Sequence, residues 1–305
     1  MRAVRIHEYG GPDTLRFDTD VPDPVASSGD VLVEMIATSV NPIDWKIRSG
    51  ARQNDFPLKL PAILGRDVCG IVQSVGDGVA GFAPGDRVLA LADATYAELV
   101  KVSAGILVRL PEGLDPTDAA ALPLVAMTGD QLVRVSAKAT AGDTVLVSGA
   151  LGSVGRAAVH SAKKLGARVI AGVRARQLQE AETLGVHAVV AIDDGRALDE
   201  LGEVDVVADT VGGETAACLL RRIRDGGRFA YASVLPEGAQ EGRPDVSVAR
   251  VFAKPDTERL REFAEDLRDG SFQLPVSDRL PLREAASAHA RLERGGGGKI
   301  VLLST

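Results

Sequence analysis

The stretch Asp143-Thr-Val-Leu-Val-Ser-Gly-Ala-Leu-Gly-Ser-Val-Gly155 decides how the fold of this chain is interpreted. Thr144 to Ser148 is a short apolar run that predicts a strand, and Ser153 to Leu165 has the pattern of an amphipathic helix. An A-x-G-x-x-G turn joins them. Such a turn binds a pyrophosphate, because its small residues let the backbone approach and the helix N–H groups face the anion. The stretch therefore predicts a dinucleotide site. The predicted contacts are the turn residues Ala150, Leu151, Gly152, Ser153, Val154 and Gly155.

The next strand indicates which dinucleotide is bound. In many such sites an acidic residue at the end of this strand binds the ribose 2′-hydroxyl. Here the strand Ala167 to Val173 is followed by Arg174 and then by Arg176. Guanidinium groups suit a 2′-phosphate, since they offer charged donors in a fixed geometry. These residues predict NADPH as the cofactor. The alternative is a pair of solvated arginines on a surface loop.

Composition restricts the class of protein. A chain of 305 residues exceeds what one hydrophobic core usually supports, which predicts two domains. The net charge of −7 gives no basic surface for nucleic acid or an anionic membrane, and no apolar stretch predicts a membrane span. The start lacks the apolar core of a signal peptide, and the only cysteines are Cys69 and Cys218. We therefore expect a cytoplasmic protein without a disulfide framework.

The pattern of elements divides the chain into two parts. The first third has short strands separated by Gly/Pro/Asp turns, which predicts a partly closed β-barrel. After about residue 115, strands alternate with helices, which predicts a doubly wound parallel sheet. The predicted fold class is α/β, with a Rossmann domain at 116–249 and a discontinuous domain at 1–115 and 250–305. Predicted strands are 3–6, 30–38, 70–75, 87–92, 96–100, 144–149, 167–173, 188–192, 204–209, 227–233, 250–254 and 299–303. Predicted helices include 257–269 and 116–135, the latter interrupted or capped near Pro123. The glycine run 295–298 is interpreted as a flexible loop.

Several motifs occur in an order that resembles a known family over nearly the whole chain. They are Tyr9-Gly-Gly-Pro12, Ser39-Val-Asn-Pro-Ile-Asp44, Ile47-Arg-Ser-Gly50, Leu64-Gly-Arg-Asp-Val-Cys-Gly-Ile-Val72, Pro84-Gly-Asp-Arg-Val88, Ala119-Ala-Ala-Leu-Pro123, the glycine-rich turn, Asp209-Thr-Val-Gly-Gly213 and Gly298-Lys-Ile-Val-Leu302. In these the chain resembles the zinc-independent, zeta-crystallin-like quinone oxidoreductases of the medium-chain dehydrogenase/reductase superfamily. The resemblance implies a discontinuous GroES-like domain beside the Rossmann domain, and an NADPH-dependent reductase that transfers hydride to a quinone.

The residues also indicate that no metal is bound. Where zinc-dependent relatives have a cysteine and a Gly-His-Glu, this chain has Asn41 and Gly65-Arg66-Asp67. Two distant cysteines and four scattered histidines do not form a four-thiolate structural site, and the cation of Arg66 opposes a metal. We therefore expect zinc-independent chemistry. Hydride transfer to a quinone or an enone suits it, because the developing charge is spread over a conjugated system.

The resemblance implies roles for individual residues. On the substrate side, Asn41 donates its amide to the acceptor oxygen, Asp44 lies nearby, and Arg66 anchors the segment or polarises the substrate. A plain Asn-Pro turn is the alternative for Asn41. Whether Lys46 or Tyr96 contacts substrate is left open. On the cofactor side the matched positions are Thr128 near the nicotinamide ribose, Val211, Gly212 and Gly213 under the cofactor, Ala232 and Ser233 near the carboxamide, and Lys299 near the phosphates.

Two other functions stay open at this point. A 2-alkenal or enone double-bond reductase would share every cofactor residue and differ only in pocket shape. A non-catalytic NADPH-binding protein is the second alternative, since a fold does not fix a function. The expected partners are a small quinone or enone and a second copy of the chain. A homodimer is expected because the strand predicted at Arg250 to Lys254 would leave an unpaired sheet edge, and because relatives are often dimers.

Overall fold

The computed structural model describes residues 1–295 and 298–304, and the chain divides into two compact units. Unit 1 comprises Met1–Leu124 and the segment from Pro255 onward, and unit 2 comprises Val125–Lys254. These boundaries lie a few residues after the predicted ones, since the helix that begins at Pro116 packs on strands of unit 1. The substrate and cofactor roles of the two units stay predictions. Of the predicted glycine loop, Gly296 and Gly297 lie outside the described residues.

The elements change along the chain from short strands to alternating strands and helices. Up to residue 119 they are β1 (Ala3–Ile6), β2 (Leu15–Asp18), β3 (Asp30–Val40), α1 (Pro42–Arg48), β4 (Ala62–Ile63), β5 (Asp67–Val75), β6 (Arg87–Leu91), β7 (Leu99–Ser103), β8 (Val108–Arg109) and α2 (Pro116–Ala119). Next come α3 (Pro123–Gln131), β9 (Thr144–Ser148), α4 (Ser153–Lys164), β10 (Arg168–Val173), α5 (Leu178–Glu182), β11 (Ala188–Ala191), α6 (Gly195–Leu201), β12 (Val204–Asp209), α7 (Gly213–Leu220), β13 (Ile223–Tyr231) and β14 (Ser247–Arg250). The last are α8 (Thr257–Arg268), β15 (Val276–Pro281), α9 (Ala285–Glu293) and β16 (Lys299–Leu303).

Unit 1 is built on a largely antiparallel seven-stranded sheet. Its order is β15-β16-β3-β5-β6-β8, with β7 also paired to β3. β16 runs antiparallel to β3, with Ile300 opposite Val40, so the last strand completes a sheet that the first part of the chain begins. A smaller sheet, β2-β1-β4, contributes Val4 and Ile6 to the same hydrophobic core. The predicted return of the last strand is thus observed.

Unit 2 contains a six-stranded parallel sheet with the order β11-β10-β9-β12-β13-β14. This is the doubly wound order, in which the direction of winding reverses between β9 and β12. Successive residues of β9 face opposite cores. Val145 and Val147 pack in one, and Leu146 packs in the other. Burial on both faces is why Thr144–Ser148 is a continuous apolar run in the sequence.

The predicted α/β fold class is confirmed, while several element positions are wrong. The strand predicted at 250–254 is β14, at 247–250, because its partner β13 ends at Tyr231, opposite Arg250. The strand predicted at 96–100 is β7, at 99–103, because Tyr96 pairs its backbone with Val4 and Leu64 instead. The helix predicted at 116–135 with an interruption near Pro123 is present as α2, α3 and a π-helical turn at 132–136, and α3 begins at Pro123. Among the described residues, no helix is long and apolar enough to cross a membrane.

Candidate active site

The start of α1 brings two predicted residues together. Asn41 is the N-cap, and its backbone N–H donates to Asp44 Oδ2 at 2.8 Å. An acidic residue three positions after the N-cap forms this bond locally, as in a capping box. Both residues are buried, each with 1% of its surface exposed. The helix cap therefore fixes the Asn41 backbone, and a turn role does not exclude a role for its side chain.

Asp67, the first residue of β5, accepts hydrogen bonds from several buried polar groups. Its Oδ2 accepts from Asn41 Nδ2 at 2.7 Å and from the Ser39 hydroxyl. Its Oδ1 accepts the N–H of Leu124 at 2.6 Å, in the first turn of α3, where N–H groups lack helical partners. Asp67 is fully buried, and a buried carboxyl group is tolerated only when its oxygens are hydrogen-bonded.

Lys299 reaches the same cluster from β16. Its Nζ donates to Asn41 Oδ1 at 2.6 Å and lies 3.5 Å from Asp67 Oδ2. Only 3% of the side chain is exposed. Burial lowers the pKa of Lys299, while Asp67 and Asp44 oppose this shift. The resemblance implied a place near the cofactor phosphates, whereas the contacts of Lys299 in unit 1 are with Asn41 and Asp67.

A second group of buried side chains lies behind Asp44. Tyr96 Oη donates to Asp44 Oδ2 at 3.0 Å and lies 3.1 Å from His289 Nε2. Burial raises the pKa of Asp44 to about 7, and Asp44 Oδ1 has no hydrogen-bond partner among the described residues. Burial also lowers the pKa of His289 to about 3, and the neighbouring Arg48 acts in the same direction. At neutral pH the imidazole is therefore uncharged, and Asp44 is close to its titration midpoint.

Arg48 is the last member of this second group of buried side chains. It is 1% exposed, its Nε donates to the carbonyl of Gly10 at 3.1 Å, and its Nη2 donates to the carboxylate of Glu293. Its Nη1 lies 3.4 Å from His289 Nδ1. Because Glu293 and His289 are on α9 and Arg48 is the last residue of α1, these contacts hold the end of α1 against α9. The buried groups thus form one hydrogen-bonded set from Glu293 to Asp67.

Arg66 lies outside this set. Its Nη1 is 2.7 Å from Asp93 Oδ1, and its guanidinium carbon is 5.9 Å from the centre of the Phe56 ring. The Asp93 side chain is 81% exposed, so this ion pair contributes little stability. The structure therefore brings Asn41 and Asp44 together and does not bring Arg66 to them.

In unit 2 the glycine-rich turn has a geometry that glycine makes possible. Gly152 is the N-cap of α4, and Gly155 lies in its first turn. A Cβ at Gly155 would lie 2.1 Å from the carbonyl oxygen of Gly149. Glycine at this position therefore lets α4 begin directly against the end of β9. The first N–H groups of α4 have no helical partners and favour an anion.

Asp209, at the end of β12, holds the neighbouring loop. Its carboxylate accepts from the Ser148 hydroxyl and from the N–H groups of Val211 at 3.2 Å and Gly212 at 2.9 Å. Burial raises the pKa of Asp209, and these three donors oppose the shift. The loop after β12 is thereby fixed at the end of β9, where the strand order reverses and such sheets bind ligands.

The loop after β13 joins the same end of the sheet. Gly212 has a φ of +82°, and a Cβ there would lie 2.8 Å from Ser233 Oγ. The N–H of Ala232 donates to the carbonyl of Asp209 at 2.9 Å. On α3, Thr128 precedes Gly129, where a Cβ would lie 2.7 Å from the carbonyl oxygen of Val154. The structure therefore brings the predicted cofactor residues of unit 2 to one end of its sheet.

Arg174 and Arg176 follow β10 in an exposed turn. The N–H of Ala175 between them donates to Asp193 Oδ1 at 2.8 Å, which holds the backbone of this turn. Within the ranges that the structure describes, neither guanidinium group makes a hydrogen bond or an ion pair. Both cations are thus available to an external anion.

Comparison with known proteins gives the family. Two family models match the chain, the alcohol dehydrogenase GroES-like domain over residues 27–112 and a zinc-binding dehydrogenase domain over residues 184–302. The quinone oxidoreductase of Mus musculus is 33% identical to this chain and covers 99% of it, over 98% of its own length. The chain belongs to the quinone oxidoreductase family. It is an oxidoreductase of the medium-chain dehydrogenase/reductase superfamily.

Two solved structures resemble this oxidoreductase over its whole length. The Escherichia coli quinone oxidoreductase complexed with NADPH is 27% identical, covers 99% of this chain and 100% of its own, and has a TM-score of 0.87. An NAD-dependent alcohol dehydrogenase is 30% identical, covers 100% of both chains, and also has a TM-score of 0.87. The fold is therefore shared by a protein solved with NADPH and by an NAD-dependent enzyme.

One of the matching family models is described as a zinc-binding dehydrogenase. In the parts of the chain that the structure describes, no three His, Cys, Asp or Glu side chains are arranged to hold a metal ion. The zinc-independent chemistry expected from Asn41 and Arg66 stays a prediction.

Sequence reasoning missed several residues of the site. It gave no role to Asp67, Ser39, Arg48 or His289, and it left Tyr96 open. Asp67 was signalled by a lone carboxylate at the start of the apolar run Asp67-Val-Cys-Gly-Ile-Val72, and His289 by its position among alanines on α9. Neither signal identifies a partner, because the partners come from distant parts of the chain.

Proposed function

We propose that this protein is an NADPH-dependent, zinc-independent oxidoreductase that transfers hydride to a quinone. The observation that carries the proposal is the cluster of Asn41, Asp67 and Lys299. It places a carboxylate and an ammonium group on either side of the amide of Asn41, the position at which zinc-dependent relatives have a cysteine ligand. An acceptor whose developing charge is delocalised needs only hydrogen-bond donors of this kind, whereas a simple ketone needs a stronger stabiliser.

The residues of unit 2 fit NADPH. Gly155 lets α4 begin directly against the end of β9, since a Cβ there would lie 2.1 Å from the carbonyl oxygen of Gly149. The N–H groups at the start of α4 then face a pyrophosphate. Arg174 and Arg176 are exposed and unpaired in the described structure, which suits the 2′-phosphate that distinguishes NADPH from NADH. The E. coli quinone oxidoreductase was solved with NADPH. Because an NAD-dependent alcohol dehydrogenase has the same fold, the fold does not distinguish NADPH from NADH. The preference for NADPH is therefore proposed from the two arginines.

Bound NADPH supplies the hydride, and the chain supplies binding, orientation and charge stabilisation. The turn from Ala150 to Gly155 holds the pyrophosphate, and the loops carrying Val211 and Ser233 hold the other end of the cofactor. Asn41 donates an N–H to the acceptor oxygen, where negative charge develops as hydride arrives. Solvent provides the proton that completes the hydroquinone. This mechanism assigns no step to Arg66, whose Nη1 pairs with Asp93, and the substrate role expected for Arg66 stays a prediction.

An acceptor screen tests the proposal. Purified protein is incubated with NADPH and either 1,4-naphthoquinones or trans-2-alkenals, after its zinc content has been measured. We expect faster NADPH oxidation with the quinones, in protein with far less than one zinc per chain. Faster turnover of the alkenals would instead indicate a double-bond reductase. Tight NADPH binding without turnover of any acceptor would indicate a non-catalytic binding protein.

A further inference from the structure

The amide group of Asn41 is held at both ends by groups of opposite character. Lys299 Nζ only donates, and it faces Asn41 Oδ1 at 2.6 Å. The carboxylate of Asp67 accepts, and it faces Asn41 Nδ2 at 2.7 Å. Rotating the amide by half a turn would place its NH2 group against the ammonium and its oxygen against the carboxylate. Both contacts would then be repulsive, so Lys299 and Asp67 together fix a single orientation.

This orientation leaves one N–H of Asn41 for a ligand. Nδ2 carries two hydrogens, and Asp67 takes one of them. The other has only the Ser39 carbonyl, at 3.5 Å, which is the outer limit of a hydrogen bond. Because Oδ1 faces Lys299 and the first N–H faces Asp67, the second N–H is the part of the amide left for an acceptor oxygen. A cation on Oδ1 also draws electron density from the amide, which makes the remaining N–H a stronger donor.

The side-chain contacts of Lys299 are with the other two members of this cluster, Asn41 and Asp67. Its side chain is 3% exposed, and the ammonium lies within 3.5 Å of both Asn41 Oδ1 and Asp67 Oδ2. The charge of Asp67 compensates it locally. By contrast, Arg174 and Arg176 in unit 2 are exposed and have no protein partner in the described residues, as phosphate-binding groups require.

We propose that Lys299 is a positioning residue for hydride transfer, which with Asp67 orients and polarises the Asn41 amide toward the acceptor oxygen, and that it does not bind the cofactor phosphates. This inference rests on the proposed function. It differs from the role that the family resemblance implied for Lys299.

The first test needs no turnover. In 15N-labelled protein the side-chain NH2 signals of Asn41 are identified by their loss in Asn41→Asp. We expect these signals to be protected from solvent exchange in the wild type, and the protection to be lost in Lys299→Met. Lys299→Gln, which keeps a donor toward Oδ1 but removes the charge, should retain part of it. Unchanged protection in both variants would overturn the orienting role.

The second test separates turnover from cofactor binding. Lys299→Met and Lys299→Gln should lower kcat about tenfold or more, with less than about a twofold change in the NADPH Kd. Lys299→Arg should recover part of the loss. Arg176→Gln should weaken NADPH binding and gives the reference for a lost phosphate contact. The matched control Lys59→Met, at an exposed lysine of unit 1 outside the site, should change neither kcat nor the NADPH Kd. Lys299→Met combined with Asn41→Ala should be little slower than Asn41→Ala alone, since both changes remove one interaction.

The outcomes are distinguishable. A Lys299→Met enzyme that loses NADPH affinity but keeps kcat would show a phosphate ligand and overturn this inference, while the proposed function would stand. Effects of Lys299→Met and Asn41→Ala that multiply in the double variant would overturn it as well. If the wild type reduces neither quinones nor alkenals, the proposed function fails, and the exchange measurement alone decides the orienting role.

Discussion

Replacing Asp44 with asparagine should remove a pH dependence of stability that the carboxyl group imposes on unit 1. Asp44 is fully buried, its Oδ2 accepts from Asn41 and Tyr96, and its Oδ1 has no partner among the described residues. An ionised carboxylate in this position is poorly solvated, which raises the pKa of Asp44 to about 7 from an ordinary value of 3.8. Asparagine has nearly the same shape and does not ionise.

The sign and size follow from proton linkage. Between about pH 4 and pH 7 the folded chain keeps the Asp44 proton and the unfolded chain has lost it. The folded state therefore binds more protons, and its stability falls as the pH rises through this window. Above about pH 7 both states are ionised and the loss is complete. A shift of roughly three pKa units corresponds to about 4 kcal/mol at 1.36 kcal/mol per unit.

The chain offers a convenient probe, since its single tryptophan, Trp45, adjoins Asp44 on α1. Urea unfolding followed by Trp45 fluorescence should be measured for the wild type and Asp44→Asn from about pH 4 to pH 8.5. The stability of the variant relative to the wild type should increase by about 4 kcal/mol across this range. His289, whose pKa is lowered to about 3, acts in the opposite direction below about pH 6.5, but it is present in both proteins and cancels in the difference.

A matched control is Asp20→Asn, at an exposed carboxylate of unit 1 that stays solvated in both states. Its stability relative to the wild type should not rise with pH. If Asp44→Asn and the wild type give parallel stability curves from pH 4 to pH 8.5, Asp44 is ionised at neutral pH in the folded protein. The account of its burial would then be wrong.

Four further outcomes test other parts of the site. Arg174→Asp should reverse a preference for NADPH over NADH that we expect to be about tenfold or more, and equal binding of both cofactors by the wild type would contradict the assignment. Gly155→Ala should weaken NADPH binding at least tenfold, because its Cβ would lie 2.1 Å from the backbone at Gly149. The control Gly195→Ala should bind NADPH normally, because nothing lies within 4 Å of a Cβ at that position. Asn41→Ala should lower kcat roughly three- to thirtyfold and leave NADPH binding intact; a stable, fully active variant would make Asn41 a turn residue only. Light scattering at micromolar concentration should give a dimer mass, since β14 lies at one edge of the described sheet of unit 2, where a second copy can add its own strand. A monomer mass would refute this.

The parts of this molecule that the sequence predicted are those with a local cause. The glycine-rich turn, the apolar run of β9 and the alternation of strands and helices each depend on neighbouring residues, and all are present in the structure. The Asn41–Asp44 pair is local too, because a helix cap spans four residues. Errors occurred where a distant partner decides the position. β14 is displaced from its predicted place because Tyr231 on β13 ends the ladder, and nothing near residue 250 signals this.

The rest of the candidate site depends on long-range contacts. Asn41 and Asp67 are separated by 26 residues, Asp67 and Lys299 by 232, and Arg48 and His289 by 241. No periodicity or spacing rule reaches across such separations. Only the pairing of β16 with β3 brings Lys299 beside Asn41, since Ile300 lies opposite Val40 in that ladder. Predicting the return of the last strand was therefore a necessary step, but the register that places Lys299 had to be observed.

The buried polar side chains contribute a fixed geometry to the site rather than stability to the fold. Burying an ammonium and carboxyl groups rarely makes a fold more stable than apolar residues of similar size would. Asp44 illustrates this, because its raised pKa means that ionisation opposes folding at neutral pH. What such a set provides is a fixed geometry. Arg48 holds the end of α1 against α9, and Asp44 and Tyr96 hold its start. Lys299 and Asp67 hold the amide of Asn41 at that start. A donor that is already oriented needs no reorganisation when charge develops on the acceptor, and this is the main way a protein without a metal stabilises that charge.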